Sequence, residues 1–231
     1  MHAQRLGRLS AAALMIAGLG ALTGCELNPF EPAAPEAPSV NLERAGRMLG
    51  EADTKRLVPA GANAPAGYAA ERTNYMKPSR LGAHTTTPAQ CDRLVMGIDT
   101  DFLKSPTKSY STYVNSEKSY LGVGLSSRAG ALAGLAGANS ALGGCQKFVV
   151  KTKNATIRYT AKAMPFPKMG EQSFAARFTV RAPHIVATYD AVRVQVGRNT
   201  VLVDAVAMGK RVPVPAEMEE AADTVLMALS R

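Results

Sequence analysis

The 231-residue chain has no tryptophan, six phenylalanines, three histidines and three cysteines. Each scarcity closes a class of function. Binding of single-stranded nucleic acid relies on aromatic platforms set among basic residues, and a chain without Trp lacks the best of them. His84 and His184 stand isolated, with no second ligand at metal-binding spacing, so no metal centre is expected. Gly-x-Ser-x-Gly, His-Glu-x-x-His and a glycine-rich phosphate loop ahead of Lys-Ser or Lys-Thr are all missing. With no nucleophile–base set the chain reads as non-enzymatic, without cofactors. Asp99 and Asp101 flank Thr100 as a solvated turn. Met164, Met169 and Met208 read as core filler. A bilayer-spanning helix needs about 20 apolar residues, and the run from Ala11 to Leu22 falls well short.

That run has another meaning. Arg5 and Arg8 precede it, and Leu22-Thr23-Gly24-Cys25 follows it. A basic start, a short apolar segment and small residues at a cut are the layout of a secretory signal. Leu-Thr-Gly-Cys resembles the lipobox of bacterial lipoproteins. The resemblance implies that the Cys25 sulfur takes a diacylglycerol and that cleavage leaves Cys25 at the mature N-terminus. A thiol is the nucleophile such a transfer needs. The address is then the outer face of the cytoplasmic membrane. The formal charge is +9, and two of those charges, Arg5 and Arg8, leave with the signal. A basic, tethered protein favours anionic neighbours. The partners expected are the membrane through its lipid anchor, and anionic lipid, wall polymer or an envelope protein. Nucleic acid fits the charge but not the address. Cys91 and Cys145 remain, and outside the membrane two leftover cysteines usually pair. The alternative is two buried free thiols.

The organisation follows. Residues 1–24 are the signal. Residues 25–40 are the lipidated cysteine and a Pro/Ala-rich disordered spacer. Residues 41–231 form a single α+β domain. Asn41 to Leu49 suggests a short helix, Lys55 to Gly67 a loop, Tyr68 to Tyr75 an edge strand and Arg80 to Thr87 another loop. Thr87-Pro88-Ala89-Gln90 is a helix-start signal placing Cys91 in a short helix. Tyr110 to Val114 and Tyr120 to Ser126 alternate as strands, and a small-residue helix is expected from about Arg128 to Leu142. Strands are expected over Gln146 to Lys151, Thr156 to Ala163, Ser173 to Ala182, Ile185 to Val196 and Val201 to Met208. Gly197-Arg198-Asn199 marks a tight hairpin. Phe174, Ala176, Phe178 and Val180 alternate with Arg177 and Arg181, and Val192, Val194 and Val196 with Arg193 and Gln195. Such alternation fits an antiparallel meander with one wet face. After Pro213 and Pro215 an amphipathic helix carries Met218, Ala221, Ala222, Val225, Leu226 and Leu229 on its apolar face.

Three stretches resemble the PknH-type extracellular sensor domain of actinobacteria. They are Gly144-Cys145-Gln146-Lys147-Phe148, the run from Pro165 to Ser173, and the run from Val192 to Val201 ahead of a C-terminal helix. The resemblance spans about Leu42 to Arg231. It implies an α+β fold: a twisted antiparallel sheet of about five to seven strands, helices on one face, and a cleft. It also implies sensing or binding of a ligand, without catalysis. Family members often carry a Trp near the cysteine after the helix and a second disulfide, and this chain has neither.

One charged constellation stands out. Lys147, Lys151, Arg158, Lys162, Arg177, Arg181 and Arg193 occupy the expected outward positions and would share one basic face. That face is either a surface for anionic envelope material or a solvated face whose charges block edge pairing. Two functions therefore compete. One is a lipoprotein that binds or senses a ligand; the other is a carrier of lipids or lipoglycans, for which an apolar cavity is the mark.

Overall fold

The structure, a computed structural model, describes residues 41–60, 63–71, 82–97, 102–128 and 133–231. The chain divides into two units, Met1–Ala37 and Pro38–Arg231, and every described residue belongs to the second. The signal, Cys25, the spacer, Asp99, Asp101 and residues 129–132 of the expected small-residue helix lie outside the described residues.

The helices are α1 (Leu42–Ala45), α2 (Glu51–Leu57), α3 (Ala133–Gly144) and α4 (Pro215–Ser230). A 3₁₀ turn over Ala89–Cys91 leads into a π-helical stretch, Arg93–Gly97. The strands are β1 (Tyr68–Ala70), β2 (His84–Thr87), β3 (Thr107–Asn115), β4 (Tyr120–Ser127), β5 (Lys147–Thr152), β6 (Thr156–Ala163), β7 (Gln172–Ala182), β8 (Ile185–Val196) and β9 (Asn199–Met208). Among the described residues these nine strands make one sheet in the order β1-β3-β4-β9-β8-β7-β6-β5-β2, antiparallel throughout.

The α+β class agrees with the sequence, but the sheet is larger than five to seven strands. One addition is β2, three threonines after a histidine. Such a run has no alternation to announce a strand, and pairing with β5 makes it one. α2 likewise extends into a stretch expected to be loop. The Glu51–Lys55 and Asp53–Arg56 pairs lie at helical spacing along it, at 2.7 and 3.0 Å.

Helices cover both faces, not one. Neighbours along a strand point to opposite faces, so the register sorts every side chain. Val192 faces Val203, which faces Val123. This face packs against α4, where Met218, Ala221, Ala222, Val225, Leu226 and Leu229 are buried, with Ala45 and Val58 beside them. Phe178 faces Ala161 on one side and Tyr189 on the other. That is the reverse face, and Leu135, Ala138 and Leu142 of α3 pack on it with Phe148 and Phe174.

The two cores overlap at β8 and β9, whose residues from Ala187 to Val196 and from Asn199 to Val203 are nearly all buried. The meander therefore has no single wet face. Over β5 to β7 the α4 face is bare, and beyond β9 the helices change sides. A two-residue turn, Gly197-Arg198, joins β8 to β9. Gly197 has φ +54°, and the backbone of Gly46 sits where a Cβ would go, so both dihedral and contact require glycine. Arg198 N donates to the Gly46 carbonyl at 3.1 Å, docking the segment after α1 onto this end of the sheet.

Cys91 and Cys145 are bonded to each other and fully buried, 54 residues apart. Closing a loop of that length contributes about 4 kcal/mol in the chain-entropy picture. The bond ties the 3₁₀ turn ahead of the π-helical stretch to the link between α3 and β5.

Candidate functional site

A cleft opens on the α3 face where β5 to β8 pass under the π-helical stretch. Leu94 and Val95 form its upper wall; Phe148, Tyr159, Phe178, Val180, Tyr189, Ala191 and Arg193 form the rest. Its volume is about 210 Å³. Cross-strand pairing builds the floor. Phe148 faces Tyr159 and the rings stack at 4.8 Å, nearly parallel. Phe178 faces Tyr189 with ring centres 5.7 Å apart. Offset rings at such distances attract beyond their buried area. Burial pushes the Tyr159 hydroxyl above its ordinary pKa, so it stays neutral.

The base of the cleft is polar and internally balanced. Arg193 Nη1 donates to Asp204 Oδ1 at 2.6 Å. The Tyr189 hydroxyl donates to the same oxygen at 2.7 Å, and the Tyr110 hydroxyl to Oδ2 at 3.2 Å. Arg193 also donates to the Val192 carbonyl at 2.8 Å. Tyr110 reaches Asp204 because it lies across Gly122 and Gly124, where any Cβ would collide with its ring. The charges of Arg193 and Asp204 cancel each other, so the cleft presents aromatic and aliphatic surface with hydroxyl polarity at one end. Among the described residues it holds no nucleophile with a base at hand.

The upper wall is braced twice, by the disulfide at Cys91 and by His84. His84 Nε2 lies 2.8 Å from Asp92 Oδ1, and Nδ1 lies 2.8 Å from the Gly82 carbonyl. Two acceptors facing one ring favour the imidazolium, so the Gly82 contact first and Asp92 second raise the His84 pKa above 6.5. Burial alone would raise the Asp92 carboxyl, but hydrogen bonds from Thr86 and His84 outweigh it and lower it.

The seven basic residues do not share one face. Lys147, Lys151, Arg158, Lys162 and Arg181 do project together from the α4 face of β5 to β7, all exposed. Arg177 shares that face but is half-buried and spent: Nε and Nη2 clamp Asp190 at 2.7 and 2.6 Å. Arg193 is on the reverse face, 1% exposed, in the base of the cleft. Its position beside Val192 and Val194 reads as outward only if the valines define the sole core. Here β8 is buried on both sides, so the polar member of the alternation is buried too. The four cleft aromatics escaped the sequence reading. Their signal was an aromatic at register-matched positions on successive strands, visible only once pairing is known.

The chain is similar in structure to the extracellular domain of PknH from Mycobacterium tuberculosis. The TM-score is 0.53 at 11% identity, covering 80% of this chain and 98% of that one. An uncharacterised protein, the Rv0999 ortholog from Mycobacterium smegmatis, aligns with a TM-score of 0.42 at 9% identity, over 84% of this chain and 100% of that one. No family model matches the chain, and no curated protein matches it in sequence. The likeness to the PknH domain is one of fold.

Two outcomes follow from this geometry. Removing one partner of a buried ion pair costs about 3–5 kcal/mol, whereas an exposed substitution stays within about 0.5 kcal/mol. Arg193→Gln should therefore lower the denaturant midpoint sharply and Arg181→Gln hardly at all, as chemical unfolding curves will read. The His84 contact stabilises the fold fully below pH 6.5, its ordinary value, and is lost as pH rises through the higher folded value. Melting temperature should fall between mildly acidic and mildly alkaline pH, and His84→Gln should flatten that slope.

Proposed function

We propose that this chain is an extracytoplasmic lipoprotein, held by a lipid on Cys25, whose domain binds a small, neutral, largely apolar ligand without transforming it. The cleft carries the reading. Four aromatic rings surround one space, and among the described residues the charge that lines it, Arg193, is paired with Asp204. An anion finds no free cation there. A flat apolar molecule with one hydrogen-bonding group meets stacking walls and the hydroxyls around Asp204. The protein of similar fold is an extracellular domain, which agrees with the export signal read at the N-terminus. A buried disulfide agrees with an oxidising compartment.

The volume bears on the choice between sensing and carriage. Ordinary small-molecule pockets hold about 300–1,000 Å³, and this cleft holds about 210 Å³. That suits a compact ligand, and two acyl chains of a lipid or lipoglycan would need more room than this cleft holds.

The uncharged arene N-phenyl-1-naphthylamine tests the cleft, since its fluorescence rises in apolar surroundings. The parent should take it up, and Val180→Trp, which fills the mouth from β7, should not. Equal uptake by both variants, or none by the parent, would overturn the reading. Preference for an anionic arene would overturn its neutrality alone. The anchor has its own measurement. Cys25→Ala should abolish metabolic acyl labelling and leave the precursor uncut; a labelled mutant would refute the anchor.

A further inference from the structure

Among the described residues six large apolar side chains are exposed, and five of them gather at one end of the sheet: Ile185, Val186, Met208, Val212 and Val214, at 37 to 51% exposure. Ile185 and Val186 open β8 after the hairpin from β7, and Met208 closes β9 beside them, opposite Ala187. The loop from Gly209 to Val214 folds back on this end. Gly209 N donates to the Val186 carbonyl at 2.7 Å, and the Pro213 carbonyl accepts from Arg177 Nη2 at 3.1 Å. Soluble proteins seldom gather exposed apolar residues without a partner to cover them.

Cations border this tip. Arg181 faces Val186 across the β7–β8 ladder, and Arg158 faces Arg181 across the β6–β7 ladder. Like charges directly opposite one another destabilise a sheet, and neither arginine has a carboxylate partner among the described residues. On β5, Lys151 faces Thr156, two positions along β6 from Arg158. Lys210 and Arg211 are exposed within the loop itself. Glu117 and Glu217 border the loop from the β1–β3 side, and the Tyr68 hydroxyl engages Glu217 at 2.6 Å. The residues of β2, β5, β6 and β7 that share the α4 face include no acid.

We propose that this tip docks on an anionic phospholipid bilayer. The five apolar side chains enter the headgroup boundary, while Lys151, Arg158, Arg181, Lys210 and Arg211 remain at its surface against the phosphates. Apolar area adds insertion, and each cation adds attraction to an anionic leaflet that salt weakens. The two like-charge arginines then find the counter-charge that the fold does not supply. A second copy of the chain would cover the apolar residues but would bring the same cations together. The tip is distinct from the cleft, so this inference stands whether or not the cleft holds a ligand. It is also compatible with an anchor at Cys25. α1 docks at the other end of the sheet, and the twelve residues of β8 span about 40 Å. Fifteen residues separate Cys25 from Asn41, enough for about 50 Å of extended chain.

The experiment is vesicle flotation with the chain from residue 38 onward, which contains both cores and the disulfide. The vesicles are phosphatidylcholine alone or phosphatidylcholine with phosphatidylglycerol. The parent should float with the anionic vesicles, less so as salt rises, and not with the neutral ones. Ile185→Ser, Val186→Ser and Val212→Ser combined should weaken binding by about tenfold while leaving the melting temperature unchanged, because the residues are exposed. Arg158→Gln with Arg181→Gln should weaken it several-fold and reduce its salt dependence. No flotation of the parent overturns the proposal. So does undiminished binding by the serine variant, which would mean that charge alone is at work. A parent that is dimeric in solution, with a serine variant that is monomeric, overturns it in favour of a second copy.

Discussion

β8 and β9 are buried on both faces, and most of the structure follows from that. A strand covered on one side can turn its polar residues to water. A strand covered on both sides must satisfy them internally or carry none. β8 carries Asp190 toward the α4 side and Arg193 toward the α3 side. Each has acquired a partner: Arg177 from β7 for the one, Asp204 from β9 for the other. Such pairs seldom add much net stability over apolar residues, yet leaving one member alone is costly. They therefore constrain the register. A slip of one residue between β7 and β8, or between β8 and β9, would exchange faces and strand both charges.

The offset of the two cores sets where surface is left for function. α3 and the π-helical stretch cover the β5–β8 half on one side, and the gap beneath them is the aromatic cleft. α1, α2 and α4 cover the β3–β9 half on the other. The bare remainder of that side, over β5 to β7, is the cationic surface. Cleft and cationic surface are thus back to back on the same strands. Alternation delivers Phe178 to one and Arg177 and Thr179 to the other. A single length of β7 serves the aromatic cleft, a buried ion pair and a charged exterior.

The sequence reading was most reliable where a local cause dominates. Thr156–Ala163 and Ile185–Val196 begin and end where expected because turn residues bracket strong alternation. α4 was legible from its apolar stripe and from Pro215 at its first turn. β2 was not, because Thr85 to Thr87 become a strand only through the β5 edge they complete. α3 lies within the expected small-residue stretch, over Ala133–Gly144, but helices were expected on one face and it covers the face opposite α4. Its glycines and alanines suit close packing on either side of a sheet.

Composition and order by themselves determined the α+β class, the nine main strand and helix positions from β3 onward, and the pair of cysteines left to meet. These depend on period, punctuation and count, which are properties of a chain read along its length. Only the tertiary structure decided which face each strand turned to which helix. Alternation defines two faces but does not say that one of them is wet. For β7 the apolar parity lies under α3; for β8 the valines lie under α4, and Arg193 goes to the side where Phe178 and Tyr189 wait. The difference between a surface cation and the buried base of a cleft is one of partners across the sheet, and partners far apart in sequence are set by packing.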